Sequence, residues 1–341
     1  MKAGLIGWPG SGRDTIFSAL TGLARPPAGS AAGAPAPRQG EALVPDERLD
    51  FLSALYKPRK HTPARVEFFL PRPPGQPLEA LKAGLEKVRE AEVILAILRN
   101  FALAGGPAPD PAREAAELET ELILSDYLVT QKRLERLEEE RKRGKKNDAE
   151  EVEFLTRGLA ELEAGRPLRT DPAFARHPKL RGFAFLSAKP LLAVLNNAET
   201  DEAAADLAWP RLVVRGRLEE DLAALPPGEA AEFLAGYGLA EPASARVIRE
   251  VYGLMGLRSF FTVGEDECRA WTITAGETAL AAAGAIHSDI QKGFIRAEVV
   301  AFEDFRAAGN MNEARKKGLL RLEGKTYAVA DGDIIHFRFN V

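Results

Sequence analysis

The sequence has a single cysteine, Cys268, among its 341 residues, so no disulfide can form within the chain. This favours a cytoplasmic location, where thiols stay reduced. No apolar run approaches the roughly 20 residues that a membrane-spanning helix needs, and the start of the chain is interrupted too early for a signal peptide. We therefore expect no membrane association.

Net positive charge is also lacking, because the formal charge is −4 at pH 7. No global positive field draws the chain to nucleic acid, and we expect no DNA binding. Contact with RNA would have to come from a local basic patch.

The hydrophobic pattern indicates an α/β protein of two or three domains. Short apolar segments at residues 2–6, 65–70, 93–98, 191–195 and 212–214 alternate with the helical segments 15–23 and 78–92. This alternation predicts a parallel sheet. Residues 25–40, rich in Pro, Ala and Gly, are predicted to form a mobile loop.

Residues 112–164 are predicted to form an antiparallel helical hairpin that projects as an arm. Apolar residues recur there every three or four positions on an otherwise charged background, and residues 144–148 interrupt the pattern. The basic residues near the tip are Arg141, Lys142, Arg143, Lys145 and Lys146. They are either contacts for RNA phosphates or the solvated end of a hairpin.

The residue pattern of the C-terminal third predicts a β-rich domain. Strands are predicted at residues 269–274, 294–302, 325–329 and 334–340, the last two joined in a hairpin through the turn sequence ADGD. One helix is predicted at residues 279–291.

The segment GWPGSGRDT has the outline of a phosphate-binding loop between a strand and a helix. Such a loop turns backbone N–H groups and a helix N-terminus toward phosphate. The candidate phosphate-binding residues are Gly7, Gly10, Ser11, Gly12, Arg13, Asp14 and Thr15.

Two of these residues depart from an intact loop, which continues with Lys and then Ser or Thr. Arg13 keeps the positive charge in a bulkier head, and Asp14 places a carboxylate where a magnesium-binding hydroxyl is expected. Binding is weakened by this exchange but not abolished, since a carboxylate also ligates magnesium. A glycine-rich turn without a ligand is the alternative that the loop alone leaves open.

Two C-terminal stretches, FFTVGEDECRAWTITAGETALAAAGAIHSDIQKGFIRAEVVAFEDF and LLRLEGKTYAVADGDIIHFRFNV, closely resemble the TGS-type β-grasp region of YchF-type proteins, which are Obg-related P-loop NTPases. The segments VPDERLD, DPAREAAELETELILSD and SAKPLLAVLNNAET resemble further parts of that family. The resemblance implies a nucleotide-binding domain of residues 1–111 and 186–256, an inserted coiled-coil arm of residues 112–185, and a TGS domain of residues 257–341.

Members of this family hydrolyse ATP, sometimes GTP, and associate with ribosomes. The family's base-recognition pattern Asn-x-x-Glu falls on Asn196 and Glu199, which the resemblance makes the candidate base-binding pair.

Several family positions differ in this sequence. Ala34 stands at the threonine of the first switch and Leu70 at a magnesium-linked aspartate, and the second switch is shortened to PRPPG. The histidine that the family is thought to use for hydrolysis has no counterpart, since no histidine lies between His61 and His177. These differences predict a divergent member with degenerate nucleotide-binding motifs, no metal ligand set and no catalytic residue.

The sequence as a whole predicts a ribosome- or RNA-associated translation factor that binds ATP or GTP weakly, with negligible hydrolysis and with magnesium disfavoured. Two alternatives stay open. One is an active ATPase in which Asp14 or another residue replaces the missing metal ligand, and the other is a nucleotide-free interaction scaffold.

Overall fold

The structure, a computed structural model, describes residues 2–25, 36–201 and 203–340. The chain divides into two compact units: Met1–Glu41 with Glu67–Val247, and Ala42–Val66 with Ile248–Val341. The predicted domain boundaries stay a prediction; in this division the second unit also contains residues 248–256 and residues 42–66, which the sequence analysis grouped with the nucleotide-binding part. The physical reason for residues 42–66 is a short strand, Lys60–Thr62, which pairs in parallel with a strand of the C-terminal sheet.

The strands are β1 (Lys2–Ile6), β2 (Arg38–Leu43), β3 (Lys60–Thr62), β4 (Arg65–Leu70), β5 (Val93–Asn100), β6 (Leu191–Asn197), β7 (Arg211–Val214), β8 (Leu257–Thr262), β9 (Glu267–Thr274), β10 (Phe294–Ala301), β11 (Arg321–Glu323) and β12 (Asp333–Phe339). The helices are α1 (Arg13–Thr21), α2 (Glu47–Tyr56), α3 (Pro77–Lys87), α4 (Pro111–Lys142), α5 (Ala149–Glu163), α6 (Pro172–Arg176), α7 (Gly216–Ala223), α8 (Pro227–Gly236), α9 (Ala243–Leu254), α10 (Ala279–Ile286), α11 (Ser288–Lys292), α12 (Phe302–Ala308) and α13 (Met311–Lys316).

The first sheet has the strand order β2-β4-β1-β5-β6-β7. Its pairs β1–β4, β1–β5, β5–β6 and β6–β7 are all parallel, so the predicted parallel α/β architecture is confirmed. The central strands β5 and β6 are buried almost throughout, which is why they read as continuous apolar runs. The loop after β1 and the end of β6 therefore meet at the carboxyl edge of the sheet, where ligands of such folds bind.

The predicted arm is present as α4 and α5, which are joined by residues 143–148. Its seam is apolar and contains the buried side chains of Leu137, Leu155 and Leu162. Asn147 closes the tip by donating from Nδ2 to the carbonyl of Leu137 at 2.6 Å. Two runs of three- and four-residue periodicity were sufficient to predict this element.

One buried carboxylate anchors the arm to the chain that leads into β6. Asp126, in the middle of α4, is fully buried and accepts the backbone N–H groups of Leu186 at 2.9 Å and Ser187 at 2.6 Å. Arg89 donates to it from Nη1 at 3.3 Å. Burial raises the pKa of Asp126, while these donors act in the opposite direction.

The second sheet has the order β11-β10-β12-β8-β9-β3, and α10 packs on it through a core that includes Phe260, Ile335 and Phe337. The mixed α/β fold with a β-rich C-terminal domain is as predicted. The predicted hairpin of residues 325–329 with residues 334–340 is wrong, since β12 pairs instead with β10 and β8. Residues 325–329 lie beside the start of α10, where Ala279 N donates to Tyr327 O at 2.8 Å.

The helix predicted at residues 279–291 is divided into α10 and α11. His287 separates them in extended backbone, and its Nδ1 accepts the N–H of Asp289 at 3.2 Å. The side chain thus starts a second helix, which a continuous apolar pattern does not reveal. The predicted loop of residues 25–40 falls largely on residues 26–35, outside the described residues, and residues 38–40 belong to β2.

Candidate phosphate-binding site

The loop between β1 and α1 requires glycine for reasons of backbone geometry. Gly7, Gly10 and Gly12 have φ of 154°, 88° and 86°, values that residues with a Cβ rarely adopt. A Cβ on Gly7 would collide with the carbonyl oxygen of Ile97, and one on Gly12 would collide with the side chain of Asn196. A Cβ on Gly10 would meet only Leu103 Cδ1, at 3.6 Å.

Asn196 ties this loop to the start of α7. Its side chain, at 4% exposure, donates from Nδ2 to the carbonyl of Ser11 at 2.9 Å. Its Oδ1 accepts the N–H of Gly216 at 3.1 Å. Each polar atom of the amide thus has a backbone partner inside the protein. The arrangement indicates a clamp on the loop, and reading of a purine edge by Asn196 stays a prediction.

Glu199, the second candidate base-binding residue, is exposed three positions after Asn196. Its backbone carbonyl accepts from Arg215 Nη1 at 3.4 Å. The structure brings the two residues to the same edge of the sheet, on the segment that ends β6.

Asp14 lies on the first turn of α1 and faces arginine. Arg38 Nη1 is 3.3 Å from Asp14 Oδ1 and also donates to the Asp14 carbonyl at 3.1 Å. Arg72 Nε lies 3.5 Å from the same Oδ1. The carboxylate therefore has two guanidinium neighbours, supplied by β2 and by the segment after β4.

Arg38 is fixed from several sides. Its side chain is 9% exposed, and its guanidinium carbon lies 4.4 Å from the centroid of the Phe17 ring. Nη2 donates to Ser18 Oγ at 3.1 Å and to the carbonyls of Leu23 at 2.7 Å and Ala24 at 3.1 Å. Arg38 is thus a structural cation that holds Asp14 in place and has little donor capacity left for a ligand.

Arg13 is a partly buried cation whose guanidinium makes no hydrogen bond or ion pair with any residue that the structure describes. Burial lowers the pKa of Arg13; the charge of Asp14 opposes this change, and the charge of Arg72 adds to it. Three arginines thus surround the Asp14 carboxylate, and Glu220 adds a further negative charge that acts on Arg38, so positive charge is in excess around Asp14.

The loop also contains buried polar atoms without partners. Within the described part of the chain, Ser11 Oγ and Trp8 Nε1 are buried and make no hydrogen bond. Ser11 is 1% exposed, and its hydroxyl lies 2.9 Å from the point where a Cβ of Gly7 would stand. The hydroxyl therefore points across the loop toward its first glycine. Unpaired buried polar atoms are rare in proteins and are commonly satisfied by water or a ligand.

These residues do not fit a magnesium ion. Asp14 is engaged by Arg38 and Arg72, and a cation beside it would face both guanidinium groups. Leu70, where the resemblance places a metal-linked aspartate, is fully buried in the core at the end of β4. Ala34, at the first-switch position, lies outside the described residues. In the described residues no group of three or more His, Cys, Asp and Glu side chains is arranged to hold a metal.

The segment after β5, where the resemblance places a catalytic histidine, carries apolar side chains to the loop. Phe101 and Leu103 are the neighbours that added Cβ atoms on Gly12 and Gly10 would meet. Thr15, the last of the predicted loop residues, is half-buried on the first turn of α1. This side of the loop is therefore lined by apolar side chains.

The five basic residues of the arm tip are all exposed. Lys142 pairs with Glu138 at 3.0 Å and Arg143 with Glu139 at 3.4 Å. The other three, Arg141, Lys145 and Lys146, form no ion pair with a described residue. Three of the five tip cations are thus outside any ion pair of the described chain, although the charge of Arg141 acts on Glu138.

The sequence analysis missed Arg38 and Arg72. Both lie far from Asp14 along the chain, and the loop motif does not indicate which distant cations approach its carboxylate. The signal that was present is the coincidence of an extra acid in the loop with an arginine in the shortened second switch.

For the described residues, no helix is long and apolar enough to cross a membrane.

Comparison with known proteins gives a consistent result. Residues 257–340 match the family model YchF-GTPase_C, described as "Protein of unknown function (DUF933)". The chain is 34% identical over 372 residues to the ribosome-binding ATPase YchF of Bacillus subtilis, an alignment that covers 100% of both proteins. It is 33% identical to the Obg-like ATPase 1 of Oryza sativa subsp. japonica, over 100% of this chain and 92% of that protein. The structure of the Schizosaccharomyces pombe YchF GTPase matches with a TM-score of 0.84 at 27% identity, over 99% of this chain and 97% of that one.

Proposed function

This chain belongs to the YchF family, as the C-terminal motifs indicated, and on that premise we propose that it is a cytoplasmic, ribosome-associated protein that binds the phosphates of ATP or GTP with negligible hydrolysis. The observation that carries the proposal is the ion pairing of Asp14 with Arg38 and Arg72 at an otherwise well-formed phosphate loop. The association with ribosomes and nucleotide is proposed by analogy with its relatives, the ribosome-binding ATPase YchF of Bacillus subtilis and the YchF GTPase of Schizosaccharomyces pombe.

Binding of phosphate is supported by what the loop retains. Its glycines have positive φ, as in loops that turn N–H groups toward phosphate, and α1 begins directly after Gly12. Asn196 fixes this conformation from the far side. The buried hydroxyl of Ser11 and the unpaired Arg13 add donors that lack an acceptor within the described chain.

Loss of hydrolysis is supported by what the loop has exchanged. Phosphoryl transfer depends on charge stabilisation by a metal ion and on a positioned nucleophile. An active ATPase that uses Asp14 as a metal ligand would first have to break two ion pairs and bring a divalent cation next to two arginines. The nucleotide-free scaffold is disfavoured by the excess positive charge at the loop, because a partly buried cation such as Arg13 is more stable with an anionic partner.

The arm tip is the surface that we propose for ribosomal RNA. Replacing Arg141, Lys145 and Lys146 together by alanine is expected to weaken co-sedimentation with ribosomes at least tenfold. Each lost phosphate contact lowers the number of counterions released on binding. The dependence of affinity on salt concentration should therefore also become shallower. The measurement is binding to purified ribosomes across a series of KCl concentrations.

A matched variant carries the same charge change at Lys82, Lys87 and Arg113, which are exposed cations of the same unit. This variant should sediment like the parent protein. Equal loss in both variants would mean that net charge rather than the tip drives the association, and unchanged binding of the tip variant would refute the tip as the contact.

A further inference from the structure

Arg72 brings a positive charge to the loop from the segment that follows β4. In an intact phosphate loop, a hydroxyl and an aspartate hold magnesium, and the metal supplies positive charge to the phosphates. Here the corresponding positions are Asp14 and Leu70, and the cation next to Asp14 is a guanidinium. The segment that would carry a metal-linked aspartate carries Arg72 instead, two residues after Leu70.

Arg13, Arg38 and Arg72 differ in how many contacts they make within the protein. Arg38 is consumed by Asp14 and by three carbonyl oxygens, so it neutralises the carboxylate and does not reach a ligand. Among the described residues Arg72 makes one ion pair, at 3.5 Å to Asp14, and its side chain is 23% exposed. Arg13 is partly buried and pairs with no described residue. Two cations therefore remain available at the mouth of a loop whose hydroxyl, Ser11 Oγ, also lacks a partner.

We propose that this loop binds the phosphate chain of a nucleotide as the free anion, without magnesium, with Arg13 and Arg72 in the place of the metal. The inference rests on the proposed function and specifies the ionic form of its ligand. Guanidinium groups match phosphate oxygens in bidentate geometry and stay charged at every physiological pH. A magnesium complex brings less negative charge and one more cation to a site where arginines already outnumber the carboxylate that they face.

The test is calorimetric titration of the full chain with ATP, GTP and inorganic tripolyphosphate, each in EDTA and in excess MgCl₂. ATP or GTP should bind in EDTA at least as tightly as with magnesium. Tripolyphosphate should compete with the nucleotide, because the arginines act on phosphates alone. Failure of tripolyphosphate to compete would overturn the assignment of the two arginines to the phosphate chain.

Variants separate the roles of the residues. Arg13→Ala and Arg72→Ala should each weaken binding in EDTA by about tenfold, the effect of one charge-assisted hydrogen bond. Asp14→Asn should tighten it by a similar factor, because it frees the cations that the carboxylate engages. Arg113→Ala, which removes an exposed arginine that pairs with Glu117, should leave the affinity unchanged. Circular dichroism of every variant checks that the fold is intact.

The outcomes are distinguishable. Nucleotide binding that requires magnesium, or that Asp14→Asn weakens, overturns this inference and leaves the proposed nucleotide binding in place. If neither the parent protein nor Asp14→Asn binds nucleotide in either buffer, both this inference and the proposed nucleotide binding are overturned. The scaffold alternative would then stand. Binding in EDTA that follows the order Asp14→Asn, parent, Arg13→Ala supports the inference.

Discussion

Alanine at position 12 is expected to lower the free energy of unfolding by about 4 kcal/mol, whereas alanine at position 10 should lower it by about 1–2 kcal/mol. Both glycines have nearly the same backbone, with φ of 86° and 88°. They therefore carry the same left-handed penalty. The difference arises because a Cβ on Gly12 collides with Nδ2 of Asn196, whereas a Cβ on Gly10 is clear of its neighbours.

The extra cost at position 12 comes from the clamp. Displacing the Asn196 amide leaves the Ser11 carbonyl and the Gly216 N–H unpaired in the interior, at about 1–3 kcal/mol each. Urea unfolding of both variants measures the difference. In an Asn196→Ala background the clash is absent, so Gly12→Ala should then cost no more than Gly10→Ala. Equal costs for the two glycines in the parent protein would contradict the clamp.

Replacing Asp126 by alanine should lower the free energy of unfolding by about 3 kcal/mol or more. The substitution removes the acceptor of two buried backbone N–H groups and one ion-pair partner of Arg89. Those donors lie in the interior, where water cannot replace the carboxylate. The arm should loosen from the segment before β6, which hydrogen exchange at Leu186 and Ser187 would report as faster exchange.

Asp110→Ala is the matched control, since this aspartate begins the same helix and also accepts a backbone N–H, from Arg113 at 3.0 Å. It is exposed, so its loss should cost about 1 kcal/mol, as for an ordinary helix cap. If both aspartates cost the same, the burial of Asp126 would not be the source of its importance.

Much of the fold could be predicted because its signals are local. The buried runs of β5 and β6 and the two periodic segments of the arm each determine their own element. The failures are places where distant residues decide. Residues 325–329 have the composition of a strand, yet they pair with the start of α10, and His287 ends a helix that apolar periodicity extends.

The candidate site likewise contains residues that the sequence could identify and residues that it could not. The glycines and Asn196 were identified from spacing and resemblance, and the structure gives them a shared mechanical role. The partners of Asp14 were not identified, because Arg38 lies in a stretch whose composition favours a loop, and Arg38 and Arg72 are both distant from Asp14 along the chain. Read alone, Asp14 is a defect that repels phosphate. Its ion pairs show a carboxylate that organises the positive charge around the loop.

The most direct test of this account is phosphate release from ATP and GTP in magnesium buffer by the purified chain and by Arg13→Ala. If the loop keeps its phosphate-binding geometry but has exchanged its metal site for arginine, neither nucleotide will be turned over above the background of the variant. Magnesium-dependent turnover by the parent protein that disappears in Arg13→Ala would contradict it.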